Sequence, residues 1–179
     1  MTRVVAGRLI VLRHAKSAWP AGVPDEQRPL NDRGRNDAAA AGDWIARNCG
    51  VPNLVAVSPA VRTVSTWEKV AAQLPHAPDS VDINSDIYEA TADQLLGLVE
   101  RWPREVATGL LIGHNPGLED LVCYLAGIRS IADAMEGVES VDKFATSTAA
   151  VFAIDAPWAH ITRVSTAHVS LTALHKCRP

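Results

Sequence analysis

Long apolar runs are missing from this chain of 179 residues. None approaches the ~20 residues that a helix needs to cross a bilayer, so no membrane span is expected. A surplus of basic charge is missing too. Lys and Arg number 17 against 20 Asp and Glu, a net charge of -3, whereas a nucleic-acid or membrane-surface protein would carry a basic patch; neither partner is expected. Cysteine is scarce, and Cys49, Cys123 and Cys177 are far apart, odd in number and in no metal-type spacing. That argues against a disulfide framework or a zinc site and fits idle thiols in a reducing cytoplasm, the expected location. The N-terminal stretch Met1 to Arg8 is followed by only a short apolar run that leads straight into Arg13, so it reads as the lead-in to a strand and not as a signal peptide. Linkers, internal repeats and low-complexity tracts are absent as well. A hydrophobic fraction of 47% over this length suits one domain, residues 1–179, with a full core.

What is present is an alternation of strand and helix signals. Leu9 to Leu12, Leu54 to Val57, Gly109 to Ile112 and Ala149 to Ile154 are continuous apolar runs, the pattern of strands covered on both faces. Val81 to Ile83 and Ile161 to Thr166 are weaker candidates. Between them, Asp32 to Asn48 carries Ala38, Ala41 and Ile45 at helical spacing, with Asn31 as N-cap and Gly50 beyond the end. Ser58-Pro59 reads as a cap followed by a first-turn proline, opening a helix to about Leu74. Thr91 to Gln94 is a capping box whose helix stops before Pro103. Asn115-Pro116 repeats the cap-proline signal and opens a helix to about Leu125. The fold class expected is α/β: a three-layer α/β/α sandwich around a mostly parallel sheet. Two stretches are irregular, Ala18 to Pro29 and Gly127 to Ser147, the latter with a short helical pattern at Ile131 to Met135. Both are candidate loops over a functional site.

The first strand ends in Arg13-His14, the helix after the second carries Arg62 in its first turn, and the third major strand ends in Gly113-His114. Ligands of open α/β sheets bind beyond the carboxyl ends of the strands, so two arginines and two histidines are expected at one edge, beside helix N-termini that favour anions. A guanidinium fork grips phosphate oxygens at two points and stays charged. A neutral imidazole can attack phosphorus, and neighbouring guanidinium groups disfavour its protonation. A backbone carbonyl on one ring nitrogen would fix the tautomer and aim the other. Trp19 is a lid or substrate-facing residue, and Arg28 either touches substrate or pairs with Asp25 or Glu26. His76, His160, His168 and His175 are read as structural, and Trp44, Trp67, Trp102 and Trp158 as core or half-buried.

Five segments in order resemble the histidine phosphatase superfamily, with its phosphoglycerate mutase-like fold, and above all its SixA-type phosphohistidine phosphatase branch. They are Leu12 to Ser17 with Trp19, Asp25 to Gly34, Ser58 to Thr63, Ile87 to Ala90, and Ile112 to Gly117. The resemblance implies that His14 is a nucleophile that becomes phosphorylated, that Arg13, Arg62 and His114 make the phosphate pocket, that Glu89 donates a proton, and that Ser17 adds a phosphate hydrogen bond. It implies no metal and no cofactor. Near the last strand, relatives usually carry a Pro-Thr pair where this chain has Phe144-Ala145-Thr146-Ser147, and there is no room for the helical insert that covers the site in larger members. Two substrates stay open: a phosphorylated protein, or a small phosphoester in a shallow site. A mutase and a phosphate-binding module without catalysis are the remaining alternatives. Oligomeric state is not legible.

Overall fold

The computed structural model describes residues 7–134, 143–161 and 168–179. Six strands form one sheet: β1 (Gly7–Arg13), β2 (Leu54–Val57), β3 (Ser80–Ile83), β4 (Thr108–Gly113), β5 (Thr148–Ile154) and β6 (Val169–Lys176). Five helices accompany them: α1 (Asp32–Asn48), α2 (Val61–Ala71), α3 (Ala92–Glu100), α4 (Gly117–Ala126) and the single turn α5 (Ile131–Ala134). The strand order is β3-β2-β4-β1-β5-β6. The β1–β4, β2–β4 and β2–β3 pairings are parallel, and β1–β5 and β5–β6 are antiparallel. The sheet is thus mostly parallel, with an antiparallel pair added at one edge.

The continuous apolar run of β1 has a physical reason. Ile10 and Leu12 join a cluster with Ile45 of α1 and Trp67 and Val70 of α2, while Leu9 and Val11 join one with Leu95 of α3 and Leu118 and Leu121 of α4. All four strand residues are fully buried, and each such side chain contributes roughly 1.5–3 kcal/mol. Helices α1 and α2 therefore cover one face and α3 and α4 the other, giving three layers. No described helix is long and apolar enough to cross a membrane.

The register places the site. Arg13 pairs with Gly113, and both Leu12 and Val57 pair with Ile112, so β1, β4 and β2 end side by side. His14 N then donates to Gly113 O at 3.1 Å and Ser58 N to Ile112 O at 3.1 Å. The start of β5 arrives at the same edge from the other direction, with Ser147 N donating to the carbonyls of Arg13 and His14. Helix α1 is capped as expected, Asn31 Oδ1 accepting from Gly34 N at 2.8 Å. A Cβ at Gly34 would collide with the Lys16 carbonyl, so glycine lets this helix start close against the chain just past His14.

Two expectations need correction. Helix α2 starts at Val61 after an extended Ala60 with no side-chain cap, and it ends at Ala71, not near Leu74. Ser58 and Pro59 precede it, and the Ser58 hydroxyl is used elsewhere. Helix α4 starts at Gly117 without a side-chain cap, and the Asn115 amide instead donates to Glu119 Oε2 at 2.6 Å and to Phe144 O at 3.0 Å. Arg62 keeps its first-turn place. The last strand among the described residues is β6; of the expected run at Ile161 to Thr166, Ile161 follows a short turn at Trp158–His160, and the rest lies outside the described residues. β6 was missed because it is an edge strand: half-exposed, with Ser170 and Thr172 between apolar residues, it shows no continuous run. Of the first irregular stretch, Asp25–Gln27 forms a 3-10 turn, and Ser17 bridges to Leu30 beside it. Of the second, α5 is present, and the expected Met135 end lies outside the described residues.

Candidate active site

His14 stands just past the end of β1, 7% exposed. Its Nδ1 is 2.8 Å from the Ala15 carbonyl, an acceptor only, so Nδ1 carries the proton and Nε2 is the free nitrogen with a lone pair. The ring's pKa is held down at about 3, first by burial and then by His114, Arg62 and Arg13, against an upward pull from the Ala15 carbonyl. The imidazole is neutral, as expected, although burial contributes more than the guanidinium groups do. Ala15 N donates to Thr66 Oγ1 at 3.0 Å, and that hydroxyl donates to Arg62 O at 2.6 Å. This chain of bonds ties the His14 backbone to α2.

His114 lies across from it, ring centroids 5.2 Å apart. Its Nε2 is 2.7 Å from Ser58 Oγ, and its Nδ1 is buried without a partner. Burial, then Arg62 and Arg13 against an opposing Asp25, hold its pKa at about 4. Tyr88 meets this ring edge-on at 5.5 Å. Arg13 reaches back to the Phe144 carbonyl with Nη1 at 2.8 Å and leaves its buried Nε unpartnered. The loop before β5 closes on the site although it lacks a Pro-Thr pair, with Ser147 in the left-handed region at φ 58.

Asp25 is the residue that sequence reasoning undervalued. Its Oδ2 accepts from Arg62 Nη2 at 2.8 Å and from the Tyr88 hydroxyl at 2.9 Å. Its Oδ1 accepts from Arg28 Nη1 at 2.7 Å, and its main-chain carbonyl from Arg62 Nη1 at 2.6 Å. These partners, Arg28 first, hold its carboxyl at about 2. Arg28 also donates to Ala18 O at 3.1 Å and to Ser17 Oγ at 2.5 Å. The spacing of Asp25 and Arg28 signalled their pair; the links to Arg62 and Tyr88 cross 37 and 63 residues and left no local signal.

These side chains surround a small pocket of about 160 Å³. Arg13, His14, Ser17, Arg28, Arg62 and His114 all line it, and Lys16, Trp19, Asn115 and Thr146 complete it. Glu89 does not. It is exposed, in the left-handed region at φ 54, and lines an adjoining hollow of about 540 Å³ with Tyr88 and Arg101. A slightly larger hollow of about 550 Å³ over α3 and α4 carries no comparable chemistry, so volume does not pick out the site.

Residues 9–111, more than half of the chain, match the model of the histidine phosphatase superfamily (branch 1). The chain belongs to that superfamily. Its class is therefore that of a phosphatase, a hydrolase. Among relatives of this histidine phosphatase, an uncharacterized protein of Mycobacterium tuberculosis is 33% identical over 150 residues, covering 84% of this chain and 91% of that one. Two solved structures provisionally assigned to the phosphohistidine phosphatase SixA share its fold. The one from Nakamurella multipartitia has a TM-score of 0.78 and 25% identity, covering 96% of each chain. The one from Agrobacterium tumefaciens has a TM-score of 0.75 and 26% identity, covering 95% of this chain and 98% of that one.

Proposed function

We propose that this chain hydrolyses phosphohistidine on a protein, without a metal, through a phosphoryl intermediate on His14. The observation that carries the reading is the His14 ring: neutral, its Nδ1 proton committed to the Ala15 carbonyl, and Nε2 free in a pocket shared with Arg13, Arg62 and His114. In the first step Nε2 attacks phosphorus and an N–P bond forms. The bond to the leaving group breaks, its electron pair going to the leaving atom, which takes up a proton. In the second step water attacks phospho-His14, the N–P electron pair returns to the imidazole, and inorganic phosphate departs. Charge on the transferring group is met by the guanidinium groups of Arg13 and Arg62, so positioning and electrostatics supply the catalysis. Ser58 Oγ–H donating to His114 Nε2 would keep the proton on Nδ1, an unspent donor for the phosphoryl oxygens. Ser17 and Arg28 contribute further contacts, and Glu89 is the proton donor to leaving groups that need one.

The protein substrate is supported by the likeness to chains assigned as phosphohistidine phosphatases, and the pocket of about 160 Å³ accepts the phosphoryl group. The same small pocket serves a small phosphoester, which is the second reading. A mutase is disfavoured because it must shield its intermediate from water, and a pure binding module has no use for a nucleophile. Three free thiols fit a reducing cytoplasm.

The test is a substrate panel of phosphohistidine proteins, sugar phosphates and nucleotides, run with a chelator present, together with a rapid quench. We expect phosphohistidine proteins to turn over fastest and an acid-labile phosphate to be trapped on His14. A label elsewhere, or activity that vanishes in EDTA and returns with a divalent ion, overturns the reading.

A further inference from the structure

Trp19 is 76% exposed, far more than any other large apolar side chain among the described residues. A lone exposed aromatic is ordinary, but this one is held in place and lines the His14 pocket. The guanidinium carbon of Arg28 lies 3.1 Å from the centroid of its ring. Arg28 is itself 6% exposed and anchored on Ala18 O, Asp25 and Ser17 Oγ. The backbone on either side is pinned as well, by the Ser17–Leu30 bridge and by Ala18 N donating to Pro29 O at 2.8 Å. One face of the indole is therefore covered by a fixed cation, and the remainder is open to solvent beside the nucleophile. An aromatic surface ordered in advance costs little further entropy when a second ring settles on it.

The pocket of about 160 Å³ is small, and Trp19 is part of its wall. A leaving group carried by a phosphoryl group held among Arg13, His14 and Arg62 therefore comes up beside the open indole. We infer that Trp19 is a specificity-determining residue whose indole stacks on the planar heteroaromatic ring of the leaving group, an imidazole; the inference rests on the phosphatase reading above and names what that site prefers to release. Stacked aromatic pairs favour offset geometry and gain beyond their buried area. An imidazole that leaves as the imidazolium gains further, because an aromatic face attracts a cation. A sugar or an ammonia leaving group gains neither.

Two substrates isolate the ring, because both break a P–N bond: 3-phosphohistidine and phosphoramidate, the latter releasing only ammonia. The readout is the ratio of their kcat/KM values in the wild type, Trp19→Ala and Trp19→Phe. We expect the ratio to fall by about five- to tenfold in Trp19→Ala, the size of an aromatic pair's contribution, and to recover most of the way in Trp19→Phe. The loss should sit in KM more than in kcat. An equal loss on both substrates would make Trp19 a structural support for Arg28 and overturn the inference, as would no loss on either. If the wild type hydrolyses neither substrate, the phosphohistidine reading falls and the inference with it. If the wild type is active and only the ratio stays fixed, the inference alone fails.

Discussion

The pocket at His14 and the hollow at Glu89 share the neighbourhood of Tyr88, which edges onto His114 and also lines the second hollow. The first holds about 160 Å³ and is ringed by arginines and buried imidazoles. The second holds about 540 Å³ and takes Asp86, Glu89 and Asp93 against a single Arg101. Asp25 lies between the two characters: a carboxylate on the basic side, bonded to Arg28, Arg62 and Tyr88. What separates a reactive site from a surface depression here is therefore which charges are desolvated, and not how much space is enclosed. An arginine behind a water-poor wall acts on a phosphate far more strongly than one in solvent, whereas exposed carboxylates are screened and mutually repelled.

The comparison is broken most completely by removing His14, the proposed nucleophile. His14→Ala should abolish turnover while leaving the protein folded and able to bind vanadate through the arginines. Retained activity in a folded variant would put the chemistry elsewhere. Next comes Arg62→Lys, which keeps the charge and loses the fork. A fall in kcat/KM of about 10²-fold or more is expected, the scale of other lost transition-state donors; a change within a few-fold would place Arg62 outside the transition state. Asp25→Asn keeps the shape and removes the charge that both Arg28 and Arg62 hold. A loss of about tenfold in kcat/KM should follow, with weaker vanadate binding, as expected for hydrogen bonds to charged partners. Unchanged kinetics would mean that the arginines are positioned by packing alone.

Burial of the two imidazoles also makes stability depend on pH. Their folded values of about 3 and about 4 lie below the ordinary 6.5. Between pH 6.5 and 4 the unfolded chain binds protons that the folded chain refuses, so stability falls as pH falls through that window. Each histidine contributes at most about 1.4 kcal/mol per pH unit. Urea unfolding at pH 7 and pH 5 should reveal the slope, and His114→Asn should remove about half of it. An unaltered slope in that variant would assign the acid sensitivity to other groups.

How much of this was legible in the chain follows from what each part buries. β1, β2 and β4 end side by side in the parallel half of the sheet, and β1 and β4, covered on both faces, read as apolar runs; that placed Arg13, His14, Arg62 and His114 at one edge. β6 is half-exposed and antiparallel, and its alternation was too weak to stand out. The caps of α1 and α3 were readable because their bonds span three residues. Ser58 and Asn115 look like caps by the same local rule, yet their side chains serve partners 56 and 29 residues away, His114 and Phe144. Tertiary demand overrode local chemistry at the functional edge, where such conflicts are expected. Asp25 belongs with them: its neighbour Arg28 was visible, and its long-range partners were not.

Glu89 gives the smallest and most selective test. It is the proposed proton donor, yet it is exposed and lines the second hollow, with Tyr88 bordering both its hollow and His114. A donor set back from the pocket can serve a leaving group that protrudes, or act through one water. An alkoxide leaves poorly and needs the proton, a nitrophenolate does not, and a phosphohistidine imidazole can arrive already protonated. Glu89→Gln should therefore slow alkyl phosphates the most, phosphohistidine by a few-fold, and nitrophenyl phosphate hardly at all. Its left-handed backbone at φ 54 costs the same for glutamine as for glutamate, so the substitution leaves that strain in place and isolates the carboxyl. A uniform loss over all three leaving groups would mark Glu89 as a support for the chain around Tyr88, and the acid would then be sought at His114, on the basic side of the divide.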